Sequence, residues 1–424
     1  MAVVLLAGAS GFIGGRLRSA LRDAGHRVIA VGPGMDGRGE SQGDFTRDTR
    51  ELQWRPRLTG VDVVVNAAGV FVDRPRGSMR LIHAVGPKAL FSAAAESGVR
   101  RIIQISALGC DSRSTEYFQT KDEADRHLMT LPIEWAILRP SLVFGLGART
   151  AASLLRLATR PLLMLPRAFR SSLQPVHIDD LVAAVLALVV TPHLPREPVP
   201  AVGGKACSML GLLDTLRRQL GYVSAVTLLL PDALARACGM FLPRTQRDYL
   251  SRDALRMLRA GYTANPTALA TLLGRWPRSP ENFVPRGLAQ GVGAEATLTW
   301  VLPLLRLGIA ALWIWLGLIT LGVVPAGAGH ALAITAQNGV APSMHAAAIW
   351  STGFVELMMG LSIVLFPRSA VIWLLQIVVT SAFVIAVSIL SPASWWQAFG
   401  PVWALPLLAA MYLLRRLLLR RWSS

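Results

Sequence analysis

Residues 3–14, "VVLLAGASGFIG", decide the fold. The run Val3–Ala7 is apolar, short and closed by a glycine, which marks a buried strand rather than a helix. Gly8, Gly11 and Gly14 follow, and a helical apolar pattern continues through Leu17 and Leu21. Glycines here permit a tight turn and let a pyrophosphate approach a helix N-terminus, where free N–H groups and the helix dipole favour anions. Gly8, Ser10, Gly11, Phe12, Ile13 and Gly14 are therefore the expected cofactor-binding turn of a dinucleotide site. A glycine pattern alone could be a structural turn; the strand–turn–helix context gives it weight.

The same alternation continues outward. The runs "HRVIAVG" (26–32), "VDVVVNAAG" (61–69), "RIIQIS" (101–106) and "EWAILRP" (134–140) are separated by helical patterns near 82–97 and from about 116. Buried strands alternating with crossover helices imply an α/β Rossmann-type, doubly wound parallel sheet. Residues 146–285 are more mixed, broken by proline-rich stretches at 192–200 and 276–285, and read as a small C-terminal lobe that would select substrate. Residues 1–285 thus form the expected nucleotide-binding domain and 286–299 a linker.

From about residue 300 the chain changes character. Apolar stretches near 307–326, 344–366, 370–390 and 399–414 are each long enough to be read as membrane spans, which predicts a four-helix transmembrane bundle over 300–424. Arg306, Arg368 and the group Arg415, Arg416, Arg420 and Arg421 flank one set of ends, while the loops 327–343 and 391–398 hold no lysine or arginine. The positive-inside rule puts the N-terminal domain and the C-terminus in the cytoplasm, with Trp395 and Trp396 at the opposite interface. The expected location is the cell (inner) membrane, multi-pass, with the bilayer as a partner.

Composition agrees with a membrane protein. Of 424 residues, 53% are hydrophobic and 16% charged, and the net charge is +18. The arginines are scattered, with no basic stripe interleaved with aromatics, so no nucleic-acid partner is expected. Cys110, Cys207 and Cys238 have no metal-ligand spacing; they imply a reducing compartment, no disulfide framework and no metal site. The N-terminus has no basic region before its apolar run, so no signal peptide is expected.

The second strand ends on Gly32, where an acidic residue would bind the ribose of NAD. Arg38 follows soon after, which leans toward NADP over NAD. Asp44 is placed either to cap the adenine or simply to form a turn. Ala67, Ala68 and Gly69 end the next strand and are small enough for the cofactor backbone to lie against them.

Tyr117 and Lys121 stand four apart in "YFQTK" (117–121), on one face of a helix. An ammonium beside a phenol favours phenolate, and the phenol can exchange a proton with a substrate oxygen during hydride transfer. Five tyrosines and few lysines would give such a pair about 0.04 times by chance in this length. Ser106, on the strand end before it, is the candidate hydroxyl donor.

Together "GASGFIG" (8–14), "NAAG" (66–69), "YFQTK", "LRPSLVFG" (138–145) and "PVHIDDLV" (175–182) resemble the short-chain dehydrogenase/reductase superfamily. The likeness is to its extended and atypical branches, which include NAD(P)-dependent epimerases, dehydratases and reductases and the nucleotide-binding accessory subunit of respiratory complex I. It covers residues 1 to about 285. It implies that Pro140 and Val143 line the nicotinamide, and that the catalytic serine or threonine position is occupied by Ala107. Ser106 would then lie buried against backbone, with Ser112 and Ser114 as substitutes. His177 is read as structural, and Asp179 and Asp180 as helix-capping carboxylates. Residues 300–424 resemble the DoxX-like four-helix module, in which Glu356 is an intramembrane carboxylate with either a proton- or quinone-linked role or a bond to a neighbouring helix. His345, near the outer end of the same span, and His330, in the outer loop before it, have no spacing that makes a metal or haem site with it.

Two functions follow. One is a membrane-anchored NAD(P)-dependent oxidoreductase acting on a small molecule or a quinone through Tyr117 and Lys121. The other is a catalytically weak NAD(P)H sensor, or a scaffold that binds protein partners in a membrane respiratory complex. A transporter regulated by the nucleotide domain has less support.

Overall fold

The computed structural model describes residues 1–35, 40–195, 197–240, 250–323, 345–390 and 404–420. They form two compact units, Met1–Ala296 and Thr297–Ser424.

In the first unit, the strands in chain order are β1 (Val3–Ala7), β2 (Arg27–Gly32), β3 (Glu40–Gln42), β4 (Val63–Asn66), β5 (Arg101–Ile105), β6 (Glu134–Pro140), β7 (Val143–Phe144), β8 (Leu162–Pro166), β9 (Ser172–Leu173), β10 (Val176–His177), β11 (Val199–Ala201), β12 (Cys207–Ser208) and β13 (Val226–Leu230). Among the described residues, seven of them form one sheet in the order β11-β6-β5-β4-β1-β2-β3, with every pairing parallel. The order reverses between β1 and β4, the switch point where doubly wound sheets open a crevice for ligand. Strands β3 and β11 are absent from the sequence reading: three residues each, they carry no apolar run.

The helices are α1 (Phe12–Asp23), α2 (Glu51–Leu58), α3 (Ser78–Arg80), α4 (Gly86–Glu96), α5 (Glu116–Thr130), α6 (Arg149–Ala158), α7 (Ile178–Val190), α8 (Met209–Gln219), α9 (Asp232–Gly239), α10 (Arg252–Ala260), α11 (Thr267–Leu273) and α12 (Arg286–Thr320). A π-helical turn, Leu81–Val85, joins α3 to α4. Side chains alternate across a strand, and β1 shows the result. Val4 and Leu6 pack with Leu17 and Leu21 of α1, Leu181 of α7 and Leu269 of α11. Leu5 faces the other way, onto Trp54, Leu90, Phe91 and Leu128 of α2, α4 and α5. Both faces of the sheet are therefore covered, as a parallel sheet requires.

The smaller lobe has its own core, in which Leu154 and Leu155 of α6, Leu163 and Leu165 of β8, Leu212 and Leu216 of α8, and Phe283 meet. The expected linker differs from what is found. Residues 286–299 are the first turns of α12, and Ala289, Val292 and Ala296 pack into this core. Their spacing gives one small apolar stripe per helix face, which a helix can bury and a linker cannot.

The second unit comprises the rest of α12 with α13 (His345–Leu365), α14 (Ala370–Leu390) and α15 (Ala404–Arg420). Ile309, Trp313, Met359, Ile363, Trp373 and Met411 form its core. Among the described residues, α12 alone is long and apolar enough to cross a membrane; the apolar stretches 349–365, 370–385 and 406–415 are shorter. The first expected span, 307–326, is corrected at its end: the helix stops at Thr320, before the turn at Leu321–Gly322. Arg38, His330, Trp395, Trp396 and Arg421 lie outside the described residues.

Candidate functional site

The glycine turn is built for a close approach. Gly8 has φ +78°, and a Cβ there would stand 2.6 Å from the Ala68 nitrogen. A Cβ on Gly14 would stand 2.1 Å from the Gly8 carbonyl oxygen. Gly11 is the N-cap of α1, with no side-chain cap and no acid in the first turn. The N–H groups of that turn have no partner within the helix, and the dipole there favours an anion. A cleft of about 190 Å³ opens over this turn, lined by Gly8, Ser10, Gly11, Gly32, Asp44, Phe45, Ala67, Ala68, Gly69 and Val70. Phe12 and Ile13 lie in the first turn of α1 and pack against the sheet. The cradle fits a dinucleotide, whose pyrophosphate needs glycine-lined backbone and an uncapped helix end.

Asp44 borders the cleft and also makes its own turn, its Oδ1 accepting from Thr46 N (2.8 Å) and Thr46 Oγ1 (2.7 Å). Gly32 stands where an acid would face a ribose, and a Cβ there would meet Ser10 Oγ at 3.0 Å.

Lys121 closes the cleft at Gly69. Its Nζ donates to the Ala68 carbonyl and the Ile105 carbonyl, each at 3.1 Å. A Cβ on Gly69 would stand 3.3 Å from that Nζ and 3.5 Å from His83 Nε2. His83 was not singled out in the sequence. It is buried on the π-helical turn, and its Nε2 accepts from Val70 N (2.9 Å). That bond makes Nε2 the unprotonated nitrogen, so Nδ1–H faces Thr120 Oγ1 at 3.1 Å. Burial and the nearby Lys121 charge hold the His83 imidazole neutral, well below its ordinary range. Its ring meets Tyr117 edge-on, with centroids 5.2 Å apart, and Phe71 flanks the same tyrosine at 5.8 Å.

The ionisation of the pair differs from the sequence expectation. Burial pushes the Tyr117 phenol up to about 12, with the Cys110 thiol as a lesser cause. Burial lowers Lys121 to about 8, opposed by the Asp125 carboxylate and Cys110. The lysine's bonds go to main-chain carbonyls, and it is not what sets the phenol in this state.

Behind the pair lies a polar cluster. Ser106 Oγ donates to Asp125 Oδ2 (2.7 Å), Cys110 Sγ lies 3.5 Å from the same oxygen, and Arg139 Nε 3.3 Å. Ser106 is buried as expected, but its partner is Asp125 rather than backbone. Asp125 is fully buried, and its Oδ1 has no hydrogen-bond partner. Burial raises its carboxyl above the ordinary range. The sequence held a signal for this residue, because Tyr117, Lys121 and Asp125 repeat every four positions along α5.

Ala107 is buried with Cys110 and Phe118, against Tyr117, Met257 and Tyr262. Ser112 Oγ and Ser114 Oγ lie 3.1 and 3.4 Å from Tyr262 Oη. Pro140 ends β6, and its carbonyl accepts from Leu108 N (2.9 Å), which sets it beside Ala107. Val143 is in β7, paired with Val176.

His177 is structural: it is the N-cap of α7, and its Nδ1 accepts from Asp179 N (3.3 Å). The expected capping by Asp179 and Asp180 is corrected. Asp179 pairs with Arg278 (2.6 Å), and the buried Asp180 takes Arg275 (2.5 Å) and Arg278 N (2.7 Å). A carboxylate within the first turn favours the dipole without being the cap. In the second unit, Thr320 Oγ1 donates to Glu356 Oε2 at 2.7 Å, a bond between neighbouring helices.

Comparison with known proteins agrees with this reading of the two parts. Residues 8–150 match the NAD(P)H-binding family, and residues 310–412 match the DoxX-like family. An epimerase family protein of Mycobacterium tuberculosis is 34% identical over 135 residues, 28% of this chain and 40% of that protein. The ceramide reductase of Caulobacter vibrioides is 26% identical over 202 residues, 45% of this chain and 62% of that protein. The chain thus spans less than two thirds of the length of these relatives. Among solved structures, the NADPH-dependent quinone oxidoreductase of Escherichia coli, complexed with NADPH, superposes with TM-score 0.54 at 17% identity, over 66% of this chain and 97% of that one. The UDP-glucuronic acid 4-epimerase of Bacillus cereus, with NAD, gives 0.50 at 17%, over 70% and 99%. At such identities they establish a shared fold. The chain carries a Rossmann-type NAD(P)H-binding domain and a DoxX-like domain.

Proposed function

We propose that the chain is a membrane-anchored NAD(P)-dependent oxidoreductase that reduces a carbonyl or quinone dissolved in the membrane. The observation that supports this is that Lys121 and His83 stand against Gly69, which lines the cleft, and that Tyr117 packs edge-on against His83. A reduced nicotinamide, when bound, supplies the hydride. Tyr117 holds the proton for the substrate oxygen, since a phenol near 12 stays protonated throughout the physiological range. Lys121, fixed by two carbonyls, supplies a positive charge that stabilises the tyrosinate left behind. His83, neutral and bonded at both nitrogens, orients the Val70 loop and the Tyr117 ring.

Membrane anchoring rests on the DoxX-like match and on α12. Arg306, inside α12, donates from Nη1 to the Pro367 carbonyl (3.1 Å), so it lies level with the turn between α13 and α14 that carries Arg368, and the positive-inside rule favours that level as the cytoplasmic side. The similarity to a ceramide reductase favours a lipid substrate over a sugar nucleotide. Glu356 is proposed as a helix-bridging carboxyl.

The test is Tyr117→Phe in the full chain. Turnover is expected to fall at least about tenfold, with NAD(P)H binding retained. Unchanged turnover would refute the proton-transfer role, and absence of NAD(P)H binding in the wild type would refute the whole reading.

A second reading has its own observation. Ala107 offers no hydroxyl, and Ser106 is committed to Asp125. A domain that binds NAD(P)H without turnover, as a sensor or as a scaffold for protein partners in a respiratory complex, fits that. It predicts tight cofactor binding, no reduction of any carbonyl, and co-purifying membrane proteins.

A further inference from the structure

The smaller lobe carries a bare apolar sheet face. Strands β8 and β13 run parallel, with Leu162 opposite Val226 and Met164 opposite Leu228. On β8 these positions alternate with the buried Leu163 and Leu165. Leu162, Met164, Val226 and Leu228 are 55, 56, 70 and 52% exposed. Parallel strands are ordinarily covered on both faces, because both faces are apolar. Here one face packs into the lobe's core and the other has no cover among the described residues.

The charges around this face identify its occupant. Arg160 precedes β8, and the exposed Arg167 and Arg170 follow it. Arg236 lies on the helix after β13. Across residues 160–173 and 221–240 the sole acid is Asp232, buried and bound by Arg259 and the Ala168 amide. A second copy of the chain laid face to face would set Arg167 and Arg170 against their own images, with no free carboxylate on the two strands or their flanking segments to pair them. A bilayer surface supplies both complements, acyl chains for the four apolar side chains and phosphates for the arginines. The lobe is also joined directly to an apolar helix, since the first turns of α12 pack in its core.

We propose that the β8–β13 face is a membrane-docking surface that seats the substrate lobe on an anionic lipid surface. It rests on the membrane anchoring proposed above and adds to it a route by which a membrane-dissolved substrate reaches the lobe without crossing water.

The test reads depth directly and needs no turnover. The full chain, with Cys207→Ser and Cys238→Ser, is placed in nanodiscs containing phosphatidylglycerol. Spin labels are attached through Met164→Cys or Leu228→Cys, with Ser19→Cys on α1 as a water-exposed reference and Val378→Cys, midway along α14, as a membrane reference. Labels at 164 and 228 are expected to collide several-fold more with oxygen, relative to a soluble nickel chelate, than the label at 19. Arg167→Gln with Arg170→Gln should lower that ratio, as should replacing phosphatidylglycerol by phosphatidylcholine. A ratio equal to that at 19, with 378 lipid-like, overturns this inference and leaves the anchoring intact. A water-like 378 overturns both. Labels shielded from both reagents, or coupled to a label on a second chain, mean a protein cover and overturn the lipid assignment.

Discussion

The charge on Lys121 should set the alkaline limit of turnover. Burial lowers its ammonium to about 8, while the Tyr117 phenol is held near 12. In the reductive direction Tyr117 is therefore protonated at every accessible pH, and the group that titrates is the lysine. At pH 7 about 90% of the free enzyme carries the ammonium, and at pH 9.5 about 3%, so kcat/KM for reduction is expected to fall about 30-fold between them. The fall should approach tenfold per pH unit, the slope of a single proton. The assay follows nicotinamide absorbance with a soluble quinone as acceptor. A Lys121→Arg enzyme keeps its charge far above this range, so its profile, at whatever lower rate, should lose that limb. Bound cofactor phosphates add negative charge near the site, so the same limb in kcat should sit at higher pH. A kcat/KM profile flat to about pH 10, or a limb retained in Lys121→Arg, would refute the assignment of the ammonium as the required charge.

Three further outcomes follow from the site's packing. Gly8→Ala places a Cβ 2.6 Å from backbone in a left-handed residue; NAD(P)H titration should show affinity reduced at least about tenfold. His83→Phe keeps a flat ring but leaves Val70 N without its acceptor; the stranded amide costs about 1–3 kcal/mol, read as a rise in NAD(P)H Kd with turnover reduced. Arg139→Met removes the cation facing the fully buried Asp125. Orphaning such a charge costs about 3–5 kcal/mol. Because burial already raises the Asp125 carboxyl, acid protonates the orphan. The drop in unfolding temperature should therefore narrow as pH is lowered below neutral.

The sheet was legible because its signal is local. A parallel strand buried on both faces is a continuous apolar run, and five such runs are visible. Strands β3 and β11 carry no such run and were missed. The glycine turn was legible because its glycines lie together within 8–14, although the Val31 carbonyl and the Ala67–Ala68 backbone that close on it come from other strands. His83 was not, because its role depends on Val70 and Thr120, brought to it by the fold. Its sequence context is an ordinary helix pattern, and the π-helical turn that aims it has no composition of its own. The exposed face of β8 and β13 was hidden too, because "LLML" and "TLLL" carry no local mark of which positions stay bare once the strands pair.

Asp125 is the more instructive case. Tyr117, Lys121 and Asp125 share one face of α5, and the spacing that marks the first two also marks the third. In the fold, Tyr117 packs edge-on against His83, Lys121 is bonded to the Ala68 and Ile105 carbonyls, and Asp125 lies with Ser106 and Arg139. The Ser106 hydroxyl is thus committed to Asp125, and Ala107, packed against Tyr117, offers none. Restoring a donor by Ala107→Ser separates the two readings of the chain. If the row performs proton transfer and lacks one donor, turnover should rise, by up to the 100-fold order that a single donor is worth elsewhere. If the domain only binds NAD(P)H, the same substitution should leave cofactor affinity unchanged and create no turnover at all.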